Sequence, residues 1–372
     1  MEIKILELFG GIGACTKAFK RLGIPHKVVD YVEIDKYAVK SYNAINGVNF
    51  EPQDITTWDK DIEVDLIMHG SPCQSISSAG LQHGADKGSG TRSSLMWETV
   101  RIVDKLKPKY VIWENVRNLL SKKHIHNFNA YLETMEQLGY TNYFKVLNAK
   151  DFVIPQNRER VFTISIRKDI SQIFTFPQPQ ELKLRLKDML EEKVDEKYYL
   201  SDEKIQKIAN WKAYQKPFEK VQGKNSIVPT LTARGAGEEH SGMITYCNDL
   251  EDTTNLQPII IGSTQEHAAI STDGIVPTLT SAMGRGGGHV PMHNYDLQIR
   301  KLTPKECWRL MGFDDEDCDK ASKVNSNTQL YKQAGNSIVV NVLEAILTNL
   351  LLKTNQEISK GQMTIFDYEG NI

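Results

Sequence analysis

One cysteine lies where a side chain could react. Cys73 occurs in "HGSPCQSISSAG", residues 69–80, after an apolar run and between a proline and a glutamine. A lone cysteine is most often a small buried hydrophobic residue, so packing is the first interpretation. The segment that follows is rich in Ser and Gly and too polar for a core, which favours a thiol presented beneath a movable loop. No histidine base is evident for this thiol, because strand alternation neither requires nor excludes a contact with His69.

A glutamate and two arginines are further candidates. Glu114, in "WENV", ends another strand-like run, where an apolar flank could hold its carboxyl partly protonated as a hydrogen-bond donor. Arg158 and Arg160, in "QNRER", would face one side of an extended chain and could clamp an anion. In isolation, a solvated strand end and ordinary surface arginines explain these residues at least as well.

A glycine-rich turn indicates a nucleoside site. "LFGGIG", residues 8–13, ends the first strand-like run and opens a helical segment, where glycines let a ligand approach the backbone. A tight turn alone would also explain it. Glu33 lies 20 residues after Gly13 and is placed to accept hydrogen bonds from ribose hydroxyls. Asp54 could bind an adenine amino group or be an ordinary turn aspartate.

The elements that position these residues alternate in type from residue 3 to about 167. Short β-branched or aromatic runs alternate with amphipathic segments, which is typical of β-α units around a mainly parallel sheet. The predicted strands are "IKILELF", "HKVVDYVEI", "VDLIMHG", "YVIWENV" and "RVFTISI", and the predicted helices are 14–22, 36–44, 94–106 and 128–138. Ligands collect beyond the carboxyl ends of such strands, where each candidate lies. We therefore predict an α/β fold with a doubly wound, Rossmann-like sheet.

A loop-rich region interrupts this pattern from about 175 to 297. It contains a near-repeat, "NSIVPTLTARGAGEEHSGMI" at 225 and "DGIVPTLTSAMGRGGGHVPM" at 273. The two copies are either strand-turn units or contacts to phosphates and bases. The pattern predicts a separate, loop-rich region.

Regular structure returns in "LTPKECWRLMGF". Thr303 is the predicted N-cap, Pro304 the first helical residue, Glu306 the capping-box partner and Gly312 the stop. A last helix is predicted from about Ile338 to Leu352.

Composition narrows the class of protein. The chain has 372 residues, enough for about two domains, and a net charge of -2, so a polyanion would have to meet a local basic patch. No apolar stretch approaches the roughly 18 to 20 residues that span a bilayer, and no secretory signal is visible, which predicts a cytoplasmic protein without a membrane partner. The five cysteines include no C-x-x-C pair, so we expect reduced thiols. His289 and His293 have metal-ligand spacing, but Pro291 between them argues against one helical face, and we expect no metal.

Eight motifs, taken in order, resemble those of carbon-5 cytosine DNA methyltransferases. They are "LFGGIG", "VEID", "GSPCQS", "TRSSLMWE", "WENV", "QNRER", "RKLTPKE" and "QAGNSIVVNV", and they cover residues 4 to 345 except the variable central region. The resemblance implies a catalytic S-adenosylmethionine-binding domain at 1–174, a target-recognition domain at 175–297, a return to the catalytic domain at 298–352 and a polar tail at 353–372. It also implies a monomer that flips cytosine out of double-stranded DNA and methylates its carbon 5.

The same resemblance assigns roles to residues. Cys73 would be the nucleophile that attacks carbon 6, Glu114 the acid that recognises the base, and Arg158 with Arg160 the clamp on the flipped cytosine and a phosphate. The cofactor would be surrounded by Phe9, Gly11, Gly13, Glu33, Ile34, Asp54, Ile55, Asn336 and Ser337. The DNA contacts would come from Gln74, Ser77, Arg92, Arg234, Gln265, His267 and Arg285.

Two alternatives and one tail motif remain open. A transfer RNA cytosine-5 methyltransferase would use the same "PCQ" and "ENV", although the long recognition region favours DNA. A non-catalytic DNA-binding regulator could keep the fold. In the tail, "GQMTIFDYEG" resembles the peptide with which bacterial DNA enzymes bind the replication sliding clamp, with Gln362 to Phe366 as its core. A tail that folds back or stays loose is the alternative.

Overall fold

The computed structural model describes residues 2–72, 86, 88–199, 259–261, 270–271, 276–277, 292–295 and 298–353. These residues form two compact units. The first contains the described residues of Met1–Asn148, Glu159–Gln180 and Ser337–Ile372, and the second contains those of Ala149–Arg158 and Glu181–Asn336.

A six-stranded sheet forms the centre of the first unit. Its strands are β1 Ile3–Leu8, β2 His26–Val32, β3 Leu66–His69, β4 Tyr110–Val116, β5 Tyr140–Asn148 and β7 Glu159–Arg167, in the order β2-β1-β3-β4-β7-β5. The first four strands of this order are parallel, and β7 runs antiparallel to both of its neighbours. All four residues of β3 are buried, as expected where helices cover both faces of a sheet. The predicted α/β fold with a mainly parallel sheet is confirmed.

The helices of the first unit lie close to their predicted positions. They are α1 Ala14–Leu22, α2 Lys36–Asn46, α3 Met96–Leu106, α4 Ile125–Gln137 and, after the helices of the second unit, α8 Val340–Leu347. The main core contains buried residues of β4, α3 and α4, among them Trp113, Met96 and Tyr131. A 3₁₀ turn at Arg92–Leu95 leads into α3, where the sequence pattern predicted the start of the helix itself.

The edge strand β5 was not predicted from the sequence. Its residues, "YTNYFKVLN", do not alternate strictly between buried and exposed, because the adjacent Tyr143 and Phe144 are both buried. A period-two pattern therefore does not identify it. Within the sheet it pairs only with β7.

The described residues of the second unit form short strands and three helices. The strands are β6 Gln156–Asn157, β8 Ile259–Ile261, β9 Ile270–Ser271, β10 Val276–Pro277, β11 Met292–Tyr295 and β12 Gln298–Lys301, and the helices are α5 Pro304–Arg309, α6 Asp315–Ser322 and α7 Asn327–Asn336. Four of these strands form an antiparallel sheet, and β10 pairs with β6. The second "IVPTLT" thus contributes strand β10, whereas the first copy lies outside the described residues.

The predicted cap of α5 is confirmed. The Thr303 hydroxyl accepts the Glu306 N–H at 3.2 Å, and the Glu306 carboxylate accepts the Thr303 N–H at 2.7 Å. Pro304 is the first helical residue. The helix ends at Arg309, and Gly312 takes a φ of 80° in the turn that follows. These interactions are local in sequence, which is why the pattern predicts them.

The units divide the chain by contacts, and the predicted domain boundaries stay a prediction. The first unit extends to Gln180, and residues 149–158 and 298–336 belong to the second unit. Helix α5 packs against α6 and α7, and Glu306 also accepts the Glu191 N–H at 2.8 Å. An amphipathic pattern shows that a helix has a face to bury but not which core will bury it. The roles assigned to the segments stay predictions.

One described helical stretch, Asn327–Leu352, has the length and mean hydropathy, 1.5, of a membrane span, where none was expected. Half of its most apolar window is buried, and residues 337–339 separate α7 from α8 within it. Buried core helices have the same properties, so this stretch is a weak indication of a membrane span. The predicted last helix begins at Val340, and a π-helical turn, Thr348–Leu352, follows it.

Candidate active site

The loop after β1, residues 9–13, is called here the glycine loop. Phe9, Gly11 and Gly13 have φ values of 53°, 55° and 84°. Such values are uncommon for a residue with a side chain and easy for glycine. At Gly13 a Cβ would lie 2.7 Å from Cε2 of the buried Tyr42 ring, so close packing as well as conformation requires glycine there.

The carboxylate of Glu33 is held against this loop. Its Oε2 accepts the Gly11 N–H at 3.2 Å, and its Oε1 accepts the Asp35 N–H at 2.8 Å. Burial raises the pKa of Glu33, although these backbone hydrogen bonds oppose the rise. Glu33, the ribose acceptor predicted from the sequence, thus links the end of β2 to the loop after β1.

A turn carrying Asp54 lies next to Glu33. The Gln53 N–H donates to the Glu33 carbonyl oxygen at 2.9 Å. Asp54 is exposed, and its Oδ1 accepts from the N–H and the hydroxyl of Thr56 at 2.9 and 2.8 Å. This is the geometry of a turn aspartate, one of the two interpretations of this residue. The turn places it beside the predicted ribose acceptor.

Two isoleucines flank this region in different environments. Ile34 is 69% exposed, unusual for a large apolar side chain, whereas Ile55 is buried in the core. Asp30 anchors the turn between them, because its carboxylate accepts hydrogen bonds from Gln53, Trp58 and Lys60. Burial would raise the pKa of Asp30, but these hydrogen bonds outweigh burial and lower it.

A second acid, Glu7, is buried in β1 just before the glycine loop. Its Oε1 accepts the Thr16 N–H at 3.1 Å and also the Thr16 hydroxyl, which lies 3.1 Å from the Tyr42 hydroxyl. Burial raises the pKa of Glu7 to about 7, and the bonds from Thr16 oppose the rise. Glu7 therefore changes charge near neutral pH without leaving the core.

His69, the last residue of β3, does not face solvent. Its ring stacks on Trp113 with centroids 5.6 Å apart, and its Nε2 lies 3.2 Å from the Tyr131 hydroxyl. Complete burial lowers the pKa of His69 to about 3. The imidazole is a neutral core group and is not a solvent-accessible base.

The chain after β3 is fastened to β4 by what we call the Ser71 clasp, formed by Ser71, Trp113 and Asn115. The Trp113 Nε1–H donates to the Ser71 hydroxyl at 3.0 Å. The Asn115 amide donates to the Ser71 carbonyl and hydroxyl oxygens, both at 3.3 Å. All three residues are buried. The clasp fixes the backbone two residues before Cys73, which itself lies outside the described residues.

In the sequence, Glu114 lies between Trp113 and Asn115, the two donor residues of the clasp. Its Oε1 lies 3.1 Å from Arg160 Nε, and both side chains are mostly buried, with 12% and 16% exposed. A Cβ at Gly70 would lie 3.7 Å from Glu114 Oε2 and 3.6 Å from Ile338 Cδ1. The structure therefore brings together Glu114, Arg160 and the stretch that leads to Cys73. It also places a cation beside this carboxyl, which the apolar-flank interpretation did not include.

Arg158 and Arg160 are divided between the two units. Arg160 lies in β7, whereas Arg158 precedes that strand, is buried in the second unit and donates from Nη2 to the Gly335 carbonyl oxygen at 3.2 Å. Asn336, the next residue, ends α7, and Ser337 begins the last segment of the first unit. The structure thus brings Arg158 next to the motif that contains Asn336.

Most of the predicted DNA contacts lie outside the described part of the chain. Arg92 is exposed at the start of its 3₁₀ turn. The remaining DNA-contact candidates and the nucleophile lie outside the described residues; they are Cys73, Gln74, Ser77, Arg234, Gln265, His267 and Arg285. Within the described part of the chain, no three His, Cys, Asp or Glu side chains are grouped to hold a metal ion.

Sequence reasoning missed the residues that support the site. Ser71, Trp113 and Asn115 were not selected, because their hydrogen bonds join positions 42 and 44 residues apart. The sequence did contain one indication of these residues, because in "WENV" a tryptophan and an asparagine lie on either side of Glu114. Period-two alternation places both on the face opposite Glu114.

Known proteins resemble the chain over most of its length. The model of the C-5 cytosine-specific DNA methylase family matches residues 3–352. The chain is 35% identical to the type II methyltransferase M2.ScrFI of Lactococcus lactis subsp. cremoris, over 94% of this chain and 99% of that protein. It is 31% identical to the orphan methyltransferase M.SPBetaI of Bacillus phage SPbeta, over 94% and 98%. The S. pombe Dnmt2 methyltransferase structure covers 94% of this chain and 99% of its own at a TM-score of 0.57 and 20% identity, which supports the fold alone.

The buried Glu7 predicts a specific pH dependence of stability. The native state holds the Glu7 proton more tightly than the unfolded chain, so this residue's stabilising contribution is complete below about pH 4.5 and is lost as the pH rises through about 7. The loss should be on the order of 3 kcal/mol, since each unit of pKa difference corresponds to about 1.4 kcal/mol. In Glu7→Gln this component should be absent, so between about pH 5 and pH 8 the variant should gain stability relative to the wild type.

Urea unfolding at both pH values measures this difference. Glu133→Gln, the same change at an exposed residue of α4, is the control and should follow the wild type. Parallel pH profiles for Glu7→Gln and the wild type would contradict the prediction.

Proposed function

The chain belongs to the C-5 cytosine-specific DNA methylase family and is a DNA cytosine-5 methyltransferase, and we propose that it acts through a covalent bond between Cys73 and carbon 6 of a flipped cytosine. The arrangement at the ends of β3 and β4 carries this proposal. Glu114 lies beside Gly70, three residues before Cys73, and pairs with Arg160 at 3.1 Å. A recognition acid and a cation are thereby fixed next to the approach to the nucleophile.

The residues around the glycine loop fit S-adenosylmethionine. Glu33 Oε2 accepts the Gly11 N–H and Oε1 accepts the Asp35 N–H. A carboxylate has about four lone-pair sites, so it can accept from ribose hydroxyls as well. The exposed Ile34 side chain offers an apolar surface for the adenine ring, and the exposed Asp54 offers an acceptor for its amino group. We assign the rest of the cofactor site to Phe9, Gly11, Gly13, Ile55, Asn336 and Ser337. When bound, the cofactor supplies a methyl group carried on a positively charged sulfur.

The protein must make carbon 5 of cytosine nucleophilic, because the aromatic ring alone is a weak nucleophile. Addition of the Cys73 thiolate to carbon 6 converts the ring into an enamine-like species. Glu114 would hold the amino-group edge of the base, and the resemblance assigns the carbonyl oxygen to Arg158. After methylation, loss of the carbon-5 proton to a base and elimination of the thiolate release 5-methylcytosine.

Carbon 6 is inaccessible within a duplex, so the target base must leave the stack. We assign the loop contacts in this step to Gln74, Ser77 and Arg92, and the groove contacts to Arg234, Gln265, His267 and Arg285. Gln is suited to adenine edges and Arg to guanine edges. Arg92 is exposed at the end of this loop, as a DNA contact requires.

Methylome sequencing of a methylation-free bacterial host that expresses the chain tests the activity. We expect 5-methylcytosine at one short recurrent DNA sequence and none in a host that expresses Cys73→Ser. In vitro, the wild type should form a denaturation-resistant adduct with DNA that contains 5-fluorocytosine, because fluorine blocks loss of the carbon-5 substituent. Labelled methyl groups in transfer RNA but not in DNA, or full turnover by Cys73→Ser, would overturn the proposal.

The Ser71 clasp predicts a positioning effect on catalysis. Ser71→Ala removes the hydroxyl that accepts from Trp113 and leaves a buried N–H without its acceptor, which costs about 1–3 kcal/mol. We expect a roughly tenfold or larger fall in kcat with little change in KM for DNA or cofactor, because the substitution disturbs the approach to Cys73 rather than substrate binding.

Ser165→Ala is the matched control for this variant. Ser165 is also buried, in β7, and donates to Asn142 of the edge strand β5 at 2.6 Å. Its loss should lower the free energy of unfolding without a specific fall in kcat. Equal kcat values for the two variants would contradict a role of the clasp in catalysis.

We also propose that Gln362 to Phe366 bind a bacterial sliding clamp, since these residues resemble the clamp-binding peptide. The tail lies outside the described residues, so the sequence alone supports this step. Calorimetry of a peptide spanning 361–370 with a bacterial clamp should show binding that Gln362→Ala or Phe366→Ala removes. No measurable heat with the unchanged peptide would refute it.

A further inference from the structure

The glycine loop rests on two stacked aromatic rings, Tyr31 of β2 and Tyr42 of α2, which we call the tyrosine pair. We propose that Tyr31 is a positioning residue for the cofactor, because its hydroxyl and its ring together fix the peptide groups of Gly10 and Gly11. This inference rests on the proposed function, in which the glycine loop and Glu33 bind S-adenosylmethionine.

The first support is a pair of hydrogen bonds that hold Gly11 from both sides. The Tyr31 hydroxyl donates to the Gly11 carbonyl oxygen at 2.5 Å, and the Gly11 N–H donates to Glu33 Oε2 at 3.2 Å. A Cβ at Gly11 would have no neighbour within 4 Å, so side-chain packing cannot hold this residue. Since glycine reaches many backbone conformations at similar energy, these two bonds select the one observed.

The second support is close contact between the rings and the loop. A Cβ at Gly10 would lie 2.6 Å from Tyr31 Cε2, and one at Gly13 would lie 2.7 Å from Tyr42 Cε2. Both distances are far below van der Waals contact, so each glycine backbone lies directly on one ring. The two rings therefore fix the position of the loop backbone, and the Tyr31 hydroxyl fixes the direction of the Gly11 carbonyl group.

The third support is that Tyr31 cannot move aside. Its ring centroid lies 3.9 Å from that of Tyr42 and 5.7 Å from that of Phe50. Tyr31 is fully buried, and burial raises the pKa of its hydroxyl, so the group stays protonated as a donor. A fixed donor two residues before Glu33 links the shape of the loop to the strand that carries the ribose acceptor.

Removing the hydroxyl alone tests the hydrogen bond without emptying the core. In Tyr31→Phe the Gly11 carbonyl loses its donor, and a neutral hydrogen bond of this kind corresponds to an affinity change of about two- to tenfold. Calorimetry with S-adenosylmethionine should therefore show a Kd that is higher by this factor. The KM for the cofactor should rise while kcat and the KM for DNA stay unchanged.

Tyr140→Phe is the matched control. Tyr140 is also fully buried and donates to a backbone carbonyl, that of Pro108, at 2.7 Å. It belongs to β5, at the opposite edge of the sheet from β2. A Kd for Tyr31→Phe equal to that of the wild type, or a rise that Tyr140→Phe reproduces, would overturn the proposal.

Hydrogen exchange of the apoenzyme gives a readout that needs no cofactor. The amides of residues 8–13 should exchange faster in Tyr31→Phe than in either the wild type or Tyr140→Phe, and unchanged exchange would refute the positioning role. The binding measurement also separates the role of Tyr31 from the proposed function. A wild type that does not bind S-adenosylmethionine refutes the proposed function, whereas a wild type that binds it while Tyr31→Phe matches it refutes only the role of Tyr31.

Discussion

The hydrogen bonds from Trp113 and Asn115 to Ser71 are the constraint on which the rest of the candidate active site depends. Fixing the backbone of a segment that leaves a strand costs conformational entropy. Here the carbonyl and hydroxyl oxygens of Ser71 are both occupied by donors from β4, in a place that water does not reach. Leaving the buried donors of Trp113 and Asn115 without partners would be costly. These hydrogen bonds therefore fix Ser71, from which the chain continues toward Cys73.

Three acids lie near the carboxyl ends of parallel strands, and the structure accommodates each by a different physical means. Glu7 lies in the core with a pKa raised to about 7, since burial outweighs the opposing effects of Thr16, Lys20 and Tyr42. Glu33 accepts backbone N–H groups, among them those of Gly11 and Asp35, and Glu114 has a guanidinium partner. A buried carboxylate needs such compensation. Of the three, Glu33 and Glu114 are only partly buried, which suits them to bind a ligand.

The parts of the fold that the sequence predicts are those whose causes are local. The cap of α5 involves Thr303 and Glu306, three residues apart, and the strand ends follow from short apolar runs that stop at polar or glycine residues. Strand β5 was missed, because adjacent buried aromatic residues hide its alternation. The clasp and the tyrosine pair were missed for a different reason. Their partners are distant in sequence, and no periodic pattern specifies which distant donor meets which acceptor.

The division of "QNRER" between two units shows why spacing alone could not describe the arginines. Period-two spacing holds only inside a strand, and β7 begins at Glu159, so only Arg160 is held by the sheet. Arg158 belongs to the segment before the strand, where its carbonyl oxygen accepts the Ala149 N–H at 3.0 Å and its guanidinium reaches the Gly335 carbonyl. The chain changes units before Ala149, after Arg158 and after Asn336, the neighbour of Gly335. Within the second unit, Arg158 therefore holds together three segment ends, each close to a point where the chain changes units. A motif selected for its charge thus also has a structural role.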